Sequence, residues 1–99
     1  MIISTRLENK KMCVILSGRI EEEDAERMRN TISYHIDNDI RFFDMDFSNV
    51  EDICTGGIVA LMILKKKAVK NDCKIVVTGL TESIRANFEL HKLNIMLGI

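Results

Sequence analysis

Proline and tryptophan are absent from this chain of 99 residues, and four Phe and one Tyr are its only aromatic side chains. Without large aromatic residues, any core has to be built from Ile, Leu, Val and Met. No proline-rich, glycine-rich or low-complexity stretch marks a linker, and no internal repeat is visible. The expectation is therefore one domain over residues 1–99, a length that supports a single core. No apolar run approaches the roughly 20 residues that span a bilayer, so direct membrane insertion is not expected. The start MIISTRLENKK has a short apolar stretch with its basic residues after it, the wrong order for a secretory signal. With neither signal, the expected compartment is the cytoplasm.

Cysteine is scarce and badly placed for chemistry. Cys13, Cys54 and Cys73 are odd in number and form no CxxC pair. Neither His35 nor His91 stands at a metal-ligand spacing from them, so no metal site is expected. Cys13 and Cys73 lie in or beside apolar strand patterns and read as reduced, buried thiols. Nor is there a strong excess of either charge, the formal net value being −1. A nucleic-acid binder would show a basic excess and exposed aromatics for stacking, and both are missing. The charge is nonetheless uneven. Residues 1–54 carry seven basic and twelve acidic side chains, and residues 55–99 carry seven basic and three acidic.

What is present is a folded composition, 46% apolar and 29% charged, arranged in periods. Ile2 to Leu7 predicts a strand, Glu8 to Lys11 a turn, and Met12 to Leu16 a second strand ended by Ser17-Gly18, the two forming an antiparallel hairpin. Ala25, Met28, Ile32 and His35/Ile36 recur at helical spacing, predicting a helix over 21–37. The acidic run Glu21 to Asp24 at its start suits the helix dipole, and it is also a candidate partner-binding patch. Phe43, Met45 and Phe47 alternate with Phe42, Asp44 and Asp46, a half-buried strand. Ser48 to Ile53 reads as a loop rich in turn formers. A second helix runs from Gly57 to about Asn71, apolar through Leu64 and basic at Lys65, Lys66, Lys67 and Lys70. These cations complement the dipole, or meet an acidic partner. Lys74 to Thr78 predicts a fourth strand closed by Gly79. Thr81 caps a third helix bearing Ile84, Phe88 and His91 on one face, and Met96 to Ile99 is a candidate final short strand. His91 has no nucleophile or orienting acid spaced to serve it. The order ββαβαβα(β) implies an α/β fold with a mixed, mostly parallel sheet packed with helices.

The segment Cys54-Thr55-Gly56-Gly57 opens the second helix. Thr55 reads as its N-cap, and the two glycines allow close backbone approach. A helix N-terminus favours anions, so a phosphate on Thr55 would meet partial positive charge. Thr55 is thus a cap or a switch residue. The phosphate-loop pattern GxxxxGK[ST] is absent, and Cys54 has no base placed by sequence. No catalytic residue and no cofactor are expected.

With these residues in view, the chain resembles the STAS family, in particular stand-alone bacterial anti-sigma factor antagonists. The resemblance runs through Val14-Ile15-Leu16-Ser17-Gly18-Arg19-Ile20-Glu21, through Met45-Asp46-Phe47-Ser48-Asn49-Val50, and through Ile53-Cys54-Thr55-Gly56-Gly57-Ile58-Val59-Ala60-Leu61. It ends with Ile84, Phe88, Leu90 and Leu93. It implies a phosphoacceptor at Thr55 and a protein partner, a kinase-type anti-sigma factor or another regulatory protein. The surface implied for that partner takes in Glu21, Asp24, Ser48, Asn49, Asp52, Cys54, Gly56 and Gly57. Three positions depart from the family pattern: Cys54 replaces an Asp, Gly56 a second Ser or Thr, and Glu21 an Asp. Two alternatives follow. One is a structural subunit, not phosphorylated, that docks on a transporter ATPase or a larger signalling assembly. The other is a module binding nucleotides or small phosphorylated ligands. Oligomeric state is left open.

Overall fold

The computed structural model describes residues 1–99. Strands β1 (Ile2–Glu8) and β2 (Lys11–Ile20) are followed by helix α1 (Glu22–Asp37) and strand β3 (Phe42–Ile53). Helix α2 (Thr55–Lys70), strand β4 (Lys74–Thr78) and helices α3 (Glu82–Leu90) and α4 (Leu93–Leu97) complete the chain. The sheet has the order β1-β2-β3-β4. β1 and β2 form the expected antiparallel hairpin, turned at Asn9, whose φ of 57° lies in the left-handed region that Asn tolerates. β2, β3 and β4 run parallel, as alternation of strand and helix requires.

Burial follows the period of two along the strands. Met12, Val14, Leu16, Phe43, Met45, Phe47, Ile75 and Val77 are all buried, while the residues between them are half-buried or exposed. One face of the sheet thus takes the helices and the other faces solvent. The buried stripe of α1 is Ala25, Met28, Ile32 and Ile36, the spacing read from the sequence. α2 buries Ile58, Ala60, Leu61, Leu64 and Ala68 on the same core. The Glu22 carboxylate lies against Gly56 at one end of this helix pair, and Lys67 Nζ meets Asp37 at 2.8 Å at the other. α1 and α2 therefore run side by side in the same direction. The Phe88 ring on α3 closes the core edge-on against Phe47, with centroids 5.8 Å apart.

Three expectations are corrected. β2 continues through Ser17-Gly18 to Ile20, and Gly18 keeps the strand going with a φ of 85°. β3 does not end at Phe47: residues 48–53, read as a loop, remain paired to β2 as far as Ile53. The register jumps twice, between Ile15 and Ser17 and between Gly18 and Arg19, each time giving β3 one extra residue. These bulges destroy the alternation by which a strand is recognised, leaving buried Val50 and Ile53 three residues apart. Finally, the C-terminal segment is the helix α4, not a strand. Leu93 is buried and Met96 and Leu97 pack beside it, at three- and four-residue spacing, whereas Ile95 is 72% exposed.

Candidate functional site

Parallel strands carry loops at their carboxyl ends, and here β2 and β3 both deliver the chain to one end of the sheet. Cys54 N–H donates to the Ile20 carbonyl at 2.9 Å, so the start of α2 is tied to the last residue of β2. Asn87 Nδ2 donates to the Ile53 carbonyl at 3.0 Å, so α3 holds the same turn from the other side. The turn is thus fixed by three elements before any side chain of its own is considered.

Thr55 is not the N-cap. The cap is Cys54, with extended backbone at φ −76° and ψ 166°, and its Sγ accepts from Gly57 N–H at 3.3 Å. The Gly57 N–H also donates to the Cys54 carbonyl at 3.0 Å. Sulfur is a weak acceptor, so this cap is weaker than a carboxylate or hydroxyl would make. Thr55 becomes the first helical residue, exposed, with its hydroxyl released from capping.

The two glycines differ in what surrounds them. A Cβ on Gly57 would lie 2.6 Å from Ile53 Cγ1 and 3.2 Å from Ile20 Cγ2, both in the core. A Cβ on Gly56 would instead meet the Glu22 carboxylate, its Oε1 and Cδ each 2.8 Å away. Gly57 lets α2 approach the sheet, whereas Gly56 makes room for an acid arriving from α1.

That acid belongs to a groove of about 550 Å³ between α1 and α2. Glu22, Glu23 and Glu26 line it with Thr55, Gly56 and Val59, and Arg29 is its one cation. Periodicity placed these acids on the first helix, but Glu26 and the groove itself were not singled out. Only the packing of α1 beside α2 brings them to Thr55. Just before this turn in the strand pair, Arg19 at the end of β2 reaches Asp52 at 3.2 Å and Glu21 at 3.5 Å. Arg19 was also missed, since nothing local distinguishes an exposed arginine in a strand.

The remaining candidates divide by what they already bind. Asp24 Oδ2 accepts the Glu21 N–H at 2.9 Å, and its Oδ1 lies 3.6 Å from the Met1 amino group. The Glu21 N–H, helped by that amino group and Arg27 and opposed by burial, holds the Asp24 carboxyl below its usual range. Ser48 donates its hydroxyl to Asp46 Oδ1 at 2.5 Å and its backbone N–H to the same oxygen at 2.9 Å. Those two donors also depress the Asp46 carboxyl. Gly79, with φ of 73°, packs on this pair so closely that a Cβ would sit 2.8 Å from Ser48 N. Asp24 and Ser48 are thus committed to internal bonds. Glu21 and Asp52 are joined through Arg19, Cys54 directly precedes Thr55, and Asn49 is exposed beside the first bulge. His91 caps the C-terminus of α3, with Nδ1 3.0 Å from the Asn87 carbonyl. The three cysteines are unpaired, and burial pushes the Cys73 thiol up.

No helix is long and apolar enough to cross a membrane. A protein-family model described as "Mlab, STAS domain" matches residues 3–98. No curated protein matches the chain. Among solved structures, the Bacillus cell-fate determinant SpoIIAA in its phosphorylated form is 13% identical, with a TM-score of 0.80 over 94% of this chain and 86% of that one. The same antagonist in its unphosphorylated form gives 12% identity and a TM-score of 0.78 over 89% and 82%. An anti-sigma factor antagonist from Mycobacterium paratuberculosis is 20% identical, with a TM-score of 0.75 over 94% and 79%. At these identities the likeness is one of fold.

Proposed function

Because the chain belongs to the STAS domain family, we propose that it is a non-enzymatic, partner-switching regulator of the anti-sigma factor antagonist kind. In this reading it binds a kinase-type anti-sigma factor and is released by phosphorylation of Thr55. The observation that carries the proposal is the exposed Thr55 hydroxyl at the first position of α2. It lines the acidic groove and is not engaged in capping. The fold is compatible with both states of such a cycle, since SpoIIAA is similar to this chain in its phosphorylated and its unphosphorylated form.

Local electrostatics supply the switch. The N-terminus of α2 favours an anion, which stabilises the phosphate on its own helix. Around it, Glu22, Glu23 and Glu26 make the same surface negative. Adding close to two charges there opposes burial under a partner, by repulsion and by desolvation. The contact surface runs from Glu21 and Asp52 across Cys54, Thr55, Gly56 and Gly57 to the groove, with Asn49 beside it. Asp24 and Ser48 support it through their internal bonds. Incubation with the cognate kinase and ATP tests the proposal: Thr55 gains phosphate, Thr55→Ala gains none, and Thr55→Glu loses the partner. No phosphate on Thr55 together with no complex would sink it.

A second reading is favoured by one observation. The cap is a thiol, and the place of a second hydroxyl side chain is filled by the Glu22 carboxylate. Both changes alter the surroundings of a phosphoacceptor and leave the fold intact. They fit a STAS subunit that docks on a transporter ATPase or a larger assembly without being phosphorylated. Such a subunit would keep its partner in Thr55→Glu if that residue lies outside the contact. A nucleotide or other phosphorylated ligand fits less well, because three carboxylates line the groove it would enter.

A further inference from the structure

α2 leaves one side unpartnered. Val59, Ile63 and Val69 recur on its outer surface at four- and six-residue steps, 45%, 42% and 63% exposed, with half-buried Met62 among them. Val59 and Ile63 are one step apart on an i, i+4 ridge, and Val69 lies roughly 80° round the helix from Val59, toward the second groove. At the N-terminal end of this ridge lies the groove of Glu22, Glu23 and Glu26. At the C-terminal end, on the flank facing α4, a second groove of about 380 Å³ is lined by Lys65, Lys66, Lys70, Val69 and Met96. The helix advances roughly 1.5 Å per residue, which puts about 20 Å between Gly56 and Val69.

None of these three carboxylates and none of these three ammonium groups forms an ion pair within the chain. Lys67, from the same basic run, is different: it is held by Asp37 at 2.8 Å and Ser33 Oγ at 2.6 Å. Unpaired acid from α1 thus stands beside the N-terminal end of α2 and unpaired base at its C-terminal end, with apolar residues between.

We propose that this side is a homodimer interface, in which a second copy packs its own α2 antiparallel across the first. A twofold axis crossing the middle of α2, perpendicular to the line joining the two grooves, sets the acidic groove of each copy against the basic groove of the other. The apolar ridges meet at the centre. Such a patch is self-complementary, as an isologous contact has to be. A single-signed partner matches only half of it: an anionic surface suits the lysines and is repelled by the glutamates, and a basic partner the reverse. The dimer also covers Thr55, so self-association competes with binding at the phosphoacceptor. That consequence rests on the regulatory reading above, while the dimer itself does not.

Sedimentation of the full chain at several hundred micromolar tests the proposal. The wild type forms a dimer that weakens as salt is raised. The exposed pairs Lys66→Glu/Lys70→Glu and Glu23→Lys/Glu26→Lys each raise the dimer dissociation constant by about tenfold or more. Circular dichroism of each variant confirms that it remains folded. Mixing the two variants restores a one-to-one dimer, because opposite charges again face each other at both ends. A monomeric wild type, a dimer indifferent to both pairs of changes, or mixed variants that stay apart would overturn it. A monomer that instead sediments with phosphatidylglycerol vesicles would overturn it too, and would assign the lysines to a lipid surface.

Discussion

Gly56 and Gly57 are neighbours in the chain, yet the first borders an open acidic groove and the second is wedged against Ile20 and Ile53. The core-facing side of the turn is fixed by packing and by the bonds from Cys54 and Asn87. The groove-facing side is bounded by the far end of a flexible glutamate. A STAS module can therefore change the chemistry of its groove side while leaving its core side alone. Gly56, where the resembled pattern has a second Ser or Thr, falls where that freedom exists, whereas Gly57 and the Cys54 backbone fall where it does not.

Substitutions across the turn test this asymmetry. Gly57→Ala breaks the core side: the methyl group overlaps Ile53 and should cost about 1–3 kcal/mol, read as a lower urea midpoint at unchanged slope. Cys54→Asp should act in the opposite sense, raising stability by about 0.5–1 kcal/mol through a stronger cap and a favourable charge at the helix start. If Cys54→Asp proves destabilising, crowding by Glu22 and Asp52 outweighs the cap, and the thiol is retained for electrostatic reasons. Gly56→Ala should change stability by no more than about 0.5 kcal/mol, because Glu22 can swing aside and Ala favours the helix. A loss matching that of Gly57→Ala would erase the distinction between the two sides.

The smallest expected effect concerns pH. Asp46 is depressed by its Ser48 donors, and Asp24 chiefly by the Glu21 N–H. The folded state therefore holds fewer protons than the unfolded state as these groups titrate. Their contribution is complete above the unfolded Asp value of about 3.9 and fades as pH falls through the lower folded values. Urea midpoints between pH 5 and 2 should show this slope flattened in Asp46→Asn, with no comparable change above about pH 5.

Much of the architecture was legible in the sequence because each signal is local. Met12-Val14-Leu16 and Phe43-Met45-Phe47 alternate, and Ala25-Met28-Ile32-Ile36 repeat at helical spacing, so strands, helices and buried faces followed together. The misreadings arose where a contact distant in sequence overrides the local pattern. Val50 and Ile53 lost their alternation to two bulges paired with β2. Residues at 96–99 are short and apolar, which suits a strand as well as a helix until Leu93 and Met96 are seen packing together. Thr55 had the chemistry of a cap, but the extended residue is Cys54, because its N–H is drawn into pairing with Ile20.

The sequence by itself determined the period of most elements, the family to which the pattern points, and the hydroxyl that opens the second helix. These depend on residue type and spacing along one stretch of chain. Tertiary structure alone decided what surrounds that hydroxyl. Glu22 and Glu26 lie some thirty residues before Thr55 in the chain, and Arg19 further still. Glu22 and Glu26 reach the groove that Thr55 lines because α1 and α2 pack side by side, and Arg19 reaches Asp52 because β2 pairs with β3. The lysines at the far end of α2 were readable along the chain, but charge acts through space, so the acidity of the groove beside Thr55 was not readable until the helices were docked.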